Sequence, residues 1–133
     1  MTPLASPAET TPFRISDPVL LQRLEGAVTL VLGVAAYAWL DQSWLVFALL
    51  ILAPDLFMVG FLRSPRVGAL TYNLAHTYAA PALMLLAGPL IGPVAYGIAA
   101  IWTAHIGFDR MLGFGLKLGS GFGDTHLGSM GRR

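Results

Sequence analysis

The chain has no cysteine. That absence removes disulfides, thiolate metal ligands, c-type haem attachment and cysteine nucleophiles together, and it leaves the redox compartment unreadable. Charge is scarce as well: Asp, Glu, Lys and Arg make up 11% of 133 residues and sum to +1. A chain with so little basic charge has no patch with which to grip nucleic acid. Residues 1–15 lack an apolar h-region and carry Glu9 before any basic residue, so they do not read as a secretory signal peptide but as a disordered tail. No inverted repeat is visible, which argues against a monomeric transporter; a homodimer would restore that reading.

What the chain does have is apolar sequence. A 56% apolar composition and a mean hydropathy of +0.68 exceed what a soluble core of this size needs, and predict an integral membrane protein in contact with the lipid bilayer. Ser16-Asp17-Pro18 is a helix-start signal and predicts a short interfacial turn. Four runs follow, Leu24 to Leu40, Trp44 to Leu62, Val67 to Ala87 and Leu90 to Met111, each near the ~20 residues that cross ~30 Å of hydrocarbon. The separators Asp41-Gln42-Ser43, Arg63-Ser64-Pro65-Arg66 and Gly88-Pro89 are short, so neighbouring helices must be antiparallel. The expectation is an all-α, four-transmembrane-helix bundle over residues 16–112.

Arg14, Arg23, Arg63, Arg66, Arg110, Lys117, Arg132 and Arg133 all fall on one side of this four-span arrangement. The positive-inside rule then puts both termini in the cytoplasm, as expected of a bacterial inner-membrane protein. Trp39, Trp44 and Tyr37 flank the first outer turn as an interfacial belt. Gly33, Gly60, Gly68, Gly92, Gly97 and Gly107 are expected to let helices approach closely.

Ionisable residues inside a span mark a functional site by default, because charge at mid-bilayer costs about 2.5 to 3.5 kcal/mol even on the mild insertion scale. At ~1.5 Å of rise per residue, Asp55, Asn73, His76 and His105 fall into one layer roughly 6 to 14 Å deep. His105 and Asp109, four apart, share a helix face, about 40° from each other around the axis, while Arg110 turns toward the boundary. Glu25 is expected at the lip of the same cavity. Pro54 and Pro81 each free a carbonyl four residues earlier, those of Leu50 and Thr77. Several readings of the layer stay open. The groups satisfy one another, Asp55 pairing with His76 or Arg110; or two histidines and two or three carboxylates hold a divalent metal, with Asn73 orienting them or ligating weakly; or the layer relays protons; or His76 and His105 are axial ligands of haem.

From Gly113 onward seven of twenty-one residues are glycine, interleaved with Phe114, Leu116, Phe122, Asp124 and His126. Apolar residues at this density are unusual in disordered linkers, so residues 113–133 are expected to pack back on the cytoplasmic mouth.

Leu24-Glu25-Gly26, Pro54-Asp55, Tyr72-Asn73-Leu74-Ala75-His76, the run His105-Ile-Gly-Phe-Asp109-Arg110-Met-Leu-Gly113-Phe-Gly115-Leu-Lys117, and Asp124-Thr-His126 together resemble a family of small bacterial integral membrane proteins catalogued as a domain of unknown function. The resemblance implies a four-helix membrane protein and no established activity. It marks Asp55, His76, His105, Asp109 and Asp124 to His126. More loosely, Pro54-Asp55 with a histidine on the next helix resembles small membrane metal-dependent hydrolases, whose fuller Asp-x-Asp-His pattern is missing here. The site so read is an enzyme centre acting on a lipid head group or small amphiphile, or else the packing layer of a non-enzymatic subunit or small transporter.

Overall fold

The computed structural model describes residues 17–130, so the tail expected at residues 1–15 lies outside the described residues. Asp17 opens α1 (Pro18–Trp39): its carboxylate accepts the Val19 N–H at 2.9 Å, and Pro18 sits at the first helical position, where no N–H is needed. The cap thus starts one continuous helix, in place of a separate interfacial turn before Leu24. α2 (Trp44–Leu50) runs on into a 3-10 helix, Ala53–Leu62. The change of helix type falls where Pro54 lacks an N–H for the Leu50 carbonyl, and the next amide, that of Asp55, turns to the Leu52 carbonyl at 3.1 Å.

Ser64 caps α3 (Pro65–Ala75) by accepting the Val67 N–H at 3.2 Å. α4 (Ala79–Ile91) follows after a break of 45°. The third run was expected to be unbroken, but Pro81 cannot donate to a helical ladder and disfavours helix just before it. The Thr77 carbonyl is not free as expected; it accepts the Ala80 N–H at 3.1 Å. The carbonyls that the break releases are those of Ala75 and His76, taken by Trp102 Nε1 at 2.6 Å and Arg110 Nη2 at 3.0 Å.

α5 (Pro93–Leu112) begins after Gly92 and ends at Gly113, whose φ of +92° lets the Phe114 N–H return to the Asp109 carbonyl at 2.8 Å. The turn expected at Gly88-Pro89 therefore lies at Gly92, and α4 continues through Pro89. Gly92 is needed for its φ of +101° and has open space around it, so it is not a close-approach glycine.

α1 lies antiparallel along α5, with Gly26 against Gly107 and Met111, and Gly33 against Ala100 and Ala104. The 3-10 helix and α3 form a second antiparallel pair, fastened by the Thr71 hydroxyl donating to the Phe57 carbonyl at 2.7 Å, and α4 packs on α5. At one end of the molecule the Arg23 guanidinium holds the Met111 carbonyl at 2.9 Å, and Phe61, just before the Arg63 turn, meets Phe122 of the C-terminal segment. At the other end Gln42 Nε2 donates to the Pro93 carbonyl at 2.9 Å and ties the turn after α1 to the start of α5.

Burial is distributed inside out. The interior holds alanines together with His76, His105, Asp109, Arg110 and Lys117, whereas Leu32, Leu49, Leu56, Leu86 and Leu90 are exposed. Tyr37, expected in an interfacial belt, is fully buried and donates its hydroxyl to the Ser43 carbonyl at 2.7 Å; Trp39 and Trp44 remain exposed beside it. The segments 18–39 and 44–62 are each long and apolar enough to cross a membrane, and α3 with α4 make a third if the bent pair counts as one.

The α1–α5 seam makes a direct prediction. A Cβ on Gly107 would lie 2.5 Å from the Leu30 amide nitrogen and 3.0 Å from its Cα, both backbone atoms that cannot step aside. Gly107→Ala should destabilise the protein by about 1 to 3 kcal/mol. Gly119→Ala, whose nearest neighbour is the flexible Arg66 side chain at 3.6 Å, should be neutral. Thermal unfolding of both variants in one detergent checks this, and equal stabilities would contradict the seam.

Candidate metal centre

Three segments deliver four side chains to one point. Pro54 sets the 3-10 turn that carries Asp55, α3 stops at His76, and α5 presents His105 and Asp109 one turn apart. His76 Nε2 lies 3.1 Å from His105 Nε2, 3.3 Å from Asp55 Oδ1 and 3.5 Å from Asp109 Oδ2. His105 Nε2 lies 3.4 Å from Asp55 Oδ1 and 3.6 Å from Asp109 Oδ2. One ligand atom from each of the four residues falls within 4.8 Å of all the others.

Two features distinguish this cluster from an ordinary ion-pair network. The first is its spacing. Charge-assisted N–H···O bonds run about 2.7 to 2.9 Å, and every histidine–carboxylate separation here is longer. A tetrahedral ion with ligands at about 2.0 to 2.1 Å separates those ligands by roughly 3.3 Å, which matches the separations found. The second is the orientation of His76. Its Nδ1–H donates to the Tyr72 carbonyl at 2.8 Å, since a carbonyl can only accept, and in the neutral ring this tautomer turns the Nε2 lone pair toward the other three groups.

Supporting contacts hold these donors in place. The Tyr72 hydroxyl donates to Asp109 Oδ2 at 3.1 Å, and its ring stacks on His76 with centroids 3.6 Å apart. Arg110, expected to reach the boundary or pair with Asp55, is buried and donates to the carbonyls of His76 and Phe114 at 3.0 and 2.7 Å. It thereby braces the loop of chain that carries His76.

Asn73 does not orient the cluster. Its amide Nδ2 donates to the Lys117 carbonyl at 2.9 Å and its Oδ1 accepts the Lys117 N–H at 2.7 Å, a two-bond clamp on the segment after α5. That segment folds into a hairpin of β1 (Asp124–Thr125) and β2 (Gly128–Ser129). Asp124 accepts from Ser120 and Ser129 within the hairpin region. His126 Nδ1 accepts the Leu116 N–H at 2.8 Å, and burial, then Arg110, keeps this imidazole below its ordinary pKa and so neutral. Asp124 and His126 therefore shape the cover and do not join the four donors. Glu25 stands apart as well: it is exposed and lines a separate cavity with Gln22, Thr29 and Tyr78.

Under the cover is a cavity of about 260 Å³ lined by Asp55, Met58, Tyr72, Asp109, Phe114, Lys117, Phe122 and Met130. The carboxylates reach it while the histidines lie behind them, with Asp55 30% exposed and the His76 side chain fully buried. Lys117 is the titratable group of this cavity that sequence reasoning passed over, having counted it only as a topological charge. Burial lowers its pKa, with Asp109 and then Asp55 pulling it back up.

A family model described as "Domain of unknown function (DUF4260)" matches residues 19–130. No curated protein and no solved structure matches the chain.

The Asn73 clamp is testable apart from any ligand. Asn73→Ala removes both bonds to the Lys117 backbone, about 2 kcal/mol of local anchoring. Amide exchange over residues 113–130 should rise sharply while α1 and α5 stay protected. Unchanged exchange in the hairpin would show that the clamp does not hold it.

Proposed function

The chain belongs to the DUF4260 family, and we propose that it is a four-span integral membrane protein of the bacterial cytoplasmic membrane holding a divalent, zinc-type metal ion in Asp55, His76, His105 and Asp109. One observation carries the metal: four donor atoms from three segments converge, with five of the six separations between 3.1 and 3.6 Å and the carboxylate–carboxylate one within 4.8 Å, close to the edges of a zinc-sized tetrahedron. Haem is disfavoured by the same numbers, since two imidazole nitrogens 3.1 Å apart leave no room for a porphyrin between them.

The inside-out burial supports immersion in lipid, where exposed leucine costs nothing and polar groups must satisfy one another internally. α5 then completes a fourth span, its polar residues facing the bundle. Arg23, Arg63, Arg66, Arg110 and Lys117 gather at the end that bears the hairpin, whereas the turn at the other end offers only Asp41. The positive-inside rule makes the hairpin end cytoplasmic, with both termini on that side. Residues 113–130 act as the cover of a site in the helical domain of residues 17–112.

An ion held by Asp55, His76, His105 and Asp109 would supply Lewis-acid chemistry beside the cavity. The protein's part is to hold it on buried histidines and to face the two carboxylates toward a small amphiphile or lipid head group entering under the hairpin. Four protein ligands would close the site, so an incoming group would reach the ion only if a carboxylate gave way, Asp55 being the more exposed of the two.

Elemental analysis of protein purified in mild detergent tests the reading. Wild type should carry stoichiometric metal, and His76→Ala and His105→Ala should each lose it. Tyr72→Phe, which strips the hydrogen bond from Asp109, should weaken metal affinity about tenfold. If the four groups merely pair, no variant binds metal, and Asp55→Asn combined with His76→Ala should recover the stability that His76→Ala loses.

Orientation has its own test, made simple by the absence of native cysteine. Cysteines at Ser43 and at Leu90, which is 92% exposed, should label with an impermeant thiol reagent from outside intact cells, and one at Ser129 should not. Labelling at Ser129 would reverse the topology.

A further inference from the structure

Lys117 is the only lysine in the sequence. Its residue is 5% exposed, and among the described residues it forms no ion pair. An ammonium has three protons to place. One goes to the Phe122 carbonyl at 2.9 Å and one toward the Met130 sulfur at 3.8 Å, a weak acceptor; the group also rests over the Phe122 ring at 4.1 Å. Lys117 nevertheless lines the same cavity as Asp55 and Asp109, the two carboxylates that a nearby cation would be expected to seek.

Charge counting explains the arrangement once the proposed ion is in place. Two carboxylates cancel one divalent ion, two neutral imidazoles add nothing, and Lys117 is left over as uncompensated positive charge. Arg110 does not add to this excess: it lines the separate cavity that also holds Glu25, and its guanidinium is spent on the carbonyls of His76 and Phe114. Buried charge without a counter-charge is costly, so the loaded site calls for an anion. A phosphate ester is negatively charged and offers three strong acceptor oxygens, so it can meet the ion's position and the Lys117 ammonium at once, which a two-oxygen carboxylate does less well.

The rest of the cavity defines what the anion is attached to. Met58, Phe114, Phe122 and Met130 form its apolar wall, and Phe114, Leu118 and Phe122 continue as exposed apolar surface. At about 260 Å³ the space is smaller than a typical drug-sized pocket of roughly 300 to 1,000 Å³, so it holds a head group and leaves a chain outside. We infer that this cavity binds the phosphate-ester head group of an amphiphile, its oxygens shared between the metal position and the Lys117 ammonium. The inference rests on the metal reading above.

The test uses full-length protein in neutral detergent, with metal content measured on the same sample. Inorganic phosphate and a short-chain phosphatidic acid are titrated by calorimetry, with a short-chain phosphatidylcholine as the control. Phosphatidic acid should bind wild type, and Lys117→Met should weaken it roughly ten- to a hundredfold without changing metal content. Tighter binding of phosphatidic acid than of inorganic phosphate identifies a lipid head group; equal binding identifies the free oxyanion and overturns the amphiphile. Because Lys117 is the sole lysine, its acetylation in wild type can be followed by mass spectrometry, so the result does not depend on the variant folding. Phosphatidic acid should slow that acetylation.

Metal-loaded wild type that binds neither probe, or binding indifferent to Lys117 with no protection from acetylation, overturns the inference and leaves the metal centre standing. Lys117-dependent binding by protein that carries no metal overturns the metal centre and, with it, the sharing of the anion between ion and ammonium.

Discussion

The hydrogen bond from His76 Nδ1–H to the Tyr72 carbonyl, 2.8 Å long, is the contact on which the rest of the site depends. It can form because α3 ends at His76, so the ring folds back on the last turn of its own helix and stacks on Tyr72. With Nδ1 donating to a carbonyl, the neutral form of the ring has only the Nε2 lone pair to offer. Nε2 faces the second imidazole nitrogen and two carboxylate oxygens, so positive charge, carried by a metal ion or by protons shared within the cluster, must stand among them.

The break after His76 also organises the surroundings. A continuous third span would have kept the Ala75 and His76 carbonyls inside its own ladder. The break exposes them, and Trp102 and Arg110 of α5 take them up, so the same discontinuity that places the ligand also locks α3 and α4 to α5. One turn earlier, Asn73 grips the Lys117 backbone and sets the hairpin over the cavity. Burial of polar groups at one end of the bundle and exposure of leucine around it are thus two consequences of one arrangement.

Much of this was legible in the sequence. The i, i+4 spacing of His105 and Asp109 put them on one face, and counting residues from the span ends put Asp55 and His76 in the same layer, so the cluster of four was foreshadowed by rise per residue, though the same count also drew in Asn73. Helix packing through glycine held at Gly33 and Gly107 because their neighbours are backbone atoms. Other features depended on partners remote in sequence. Asn73 reads as a site residue by depth, but its partner is a backbone 44 positions away. Arg110 reads as a boundary charge, yet the carbonyl it serves becomes free only when the third span breaks. Glu25 has the right depth and the wrong azimuth on α1, which depth counting cannot supply. The two-residue strands of the hairpin are too short to leave a period, and Lys117 was hidden by being useful as a topological charge.

The central claim is that four side chains share one ion, and X-ray absorption at the metal edge of the purified protein addresses it most directly. The account predicts a four-coordinate nitrogen and oxygen shell at about 2.0 to 2.1 Å, with the outer-shell scattering of two imidazole rings, and its disappearance in His76→Ala. A shell made only of oxygen with no imidazole signal, or no stoichiometric metal edge at all, would contradict it.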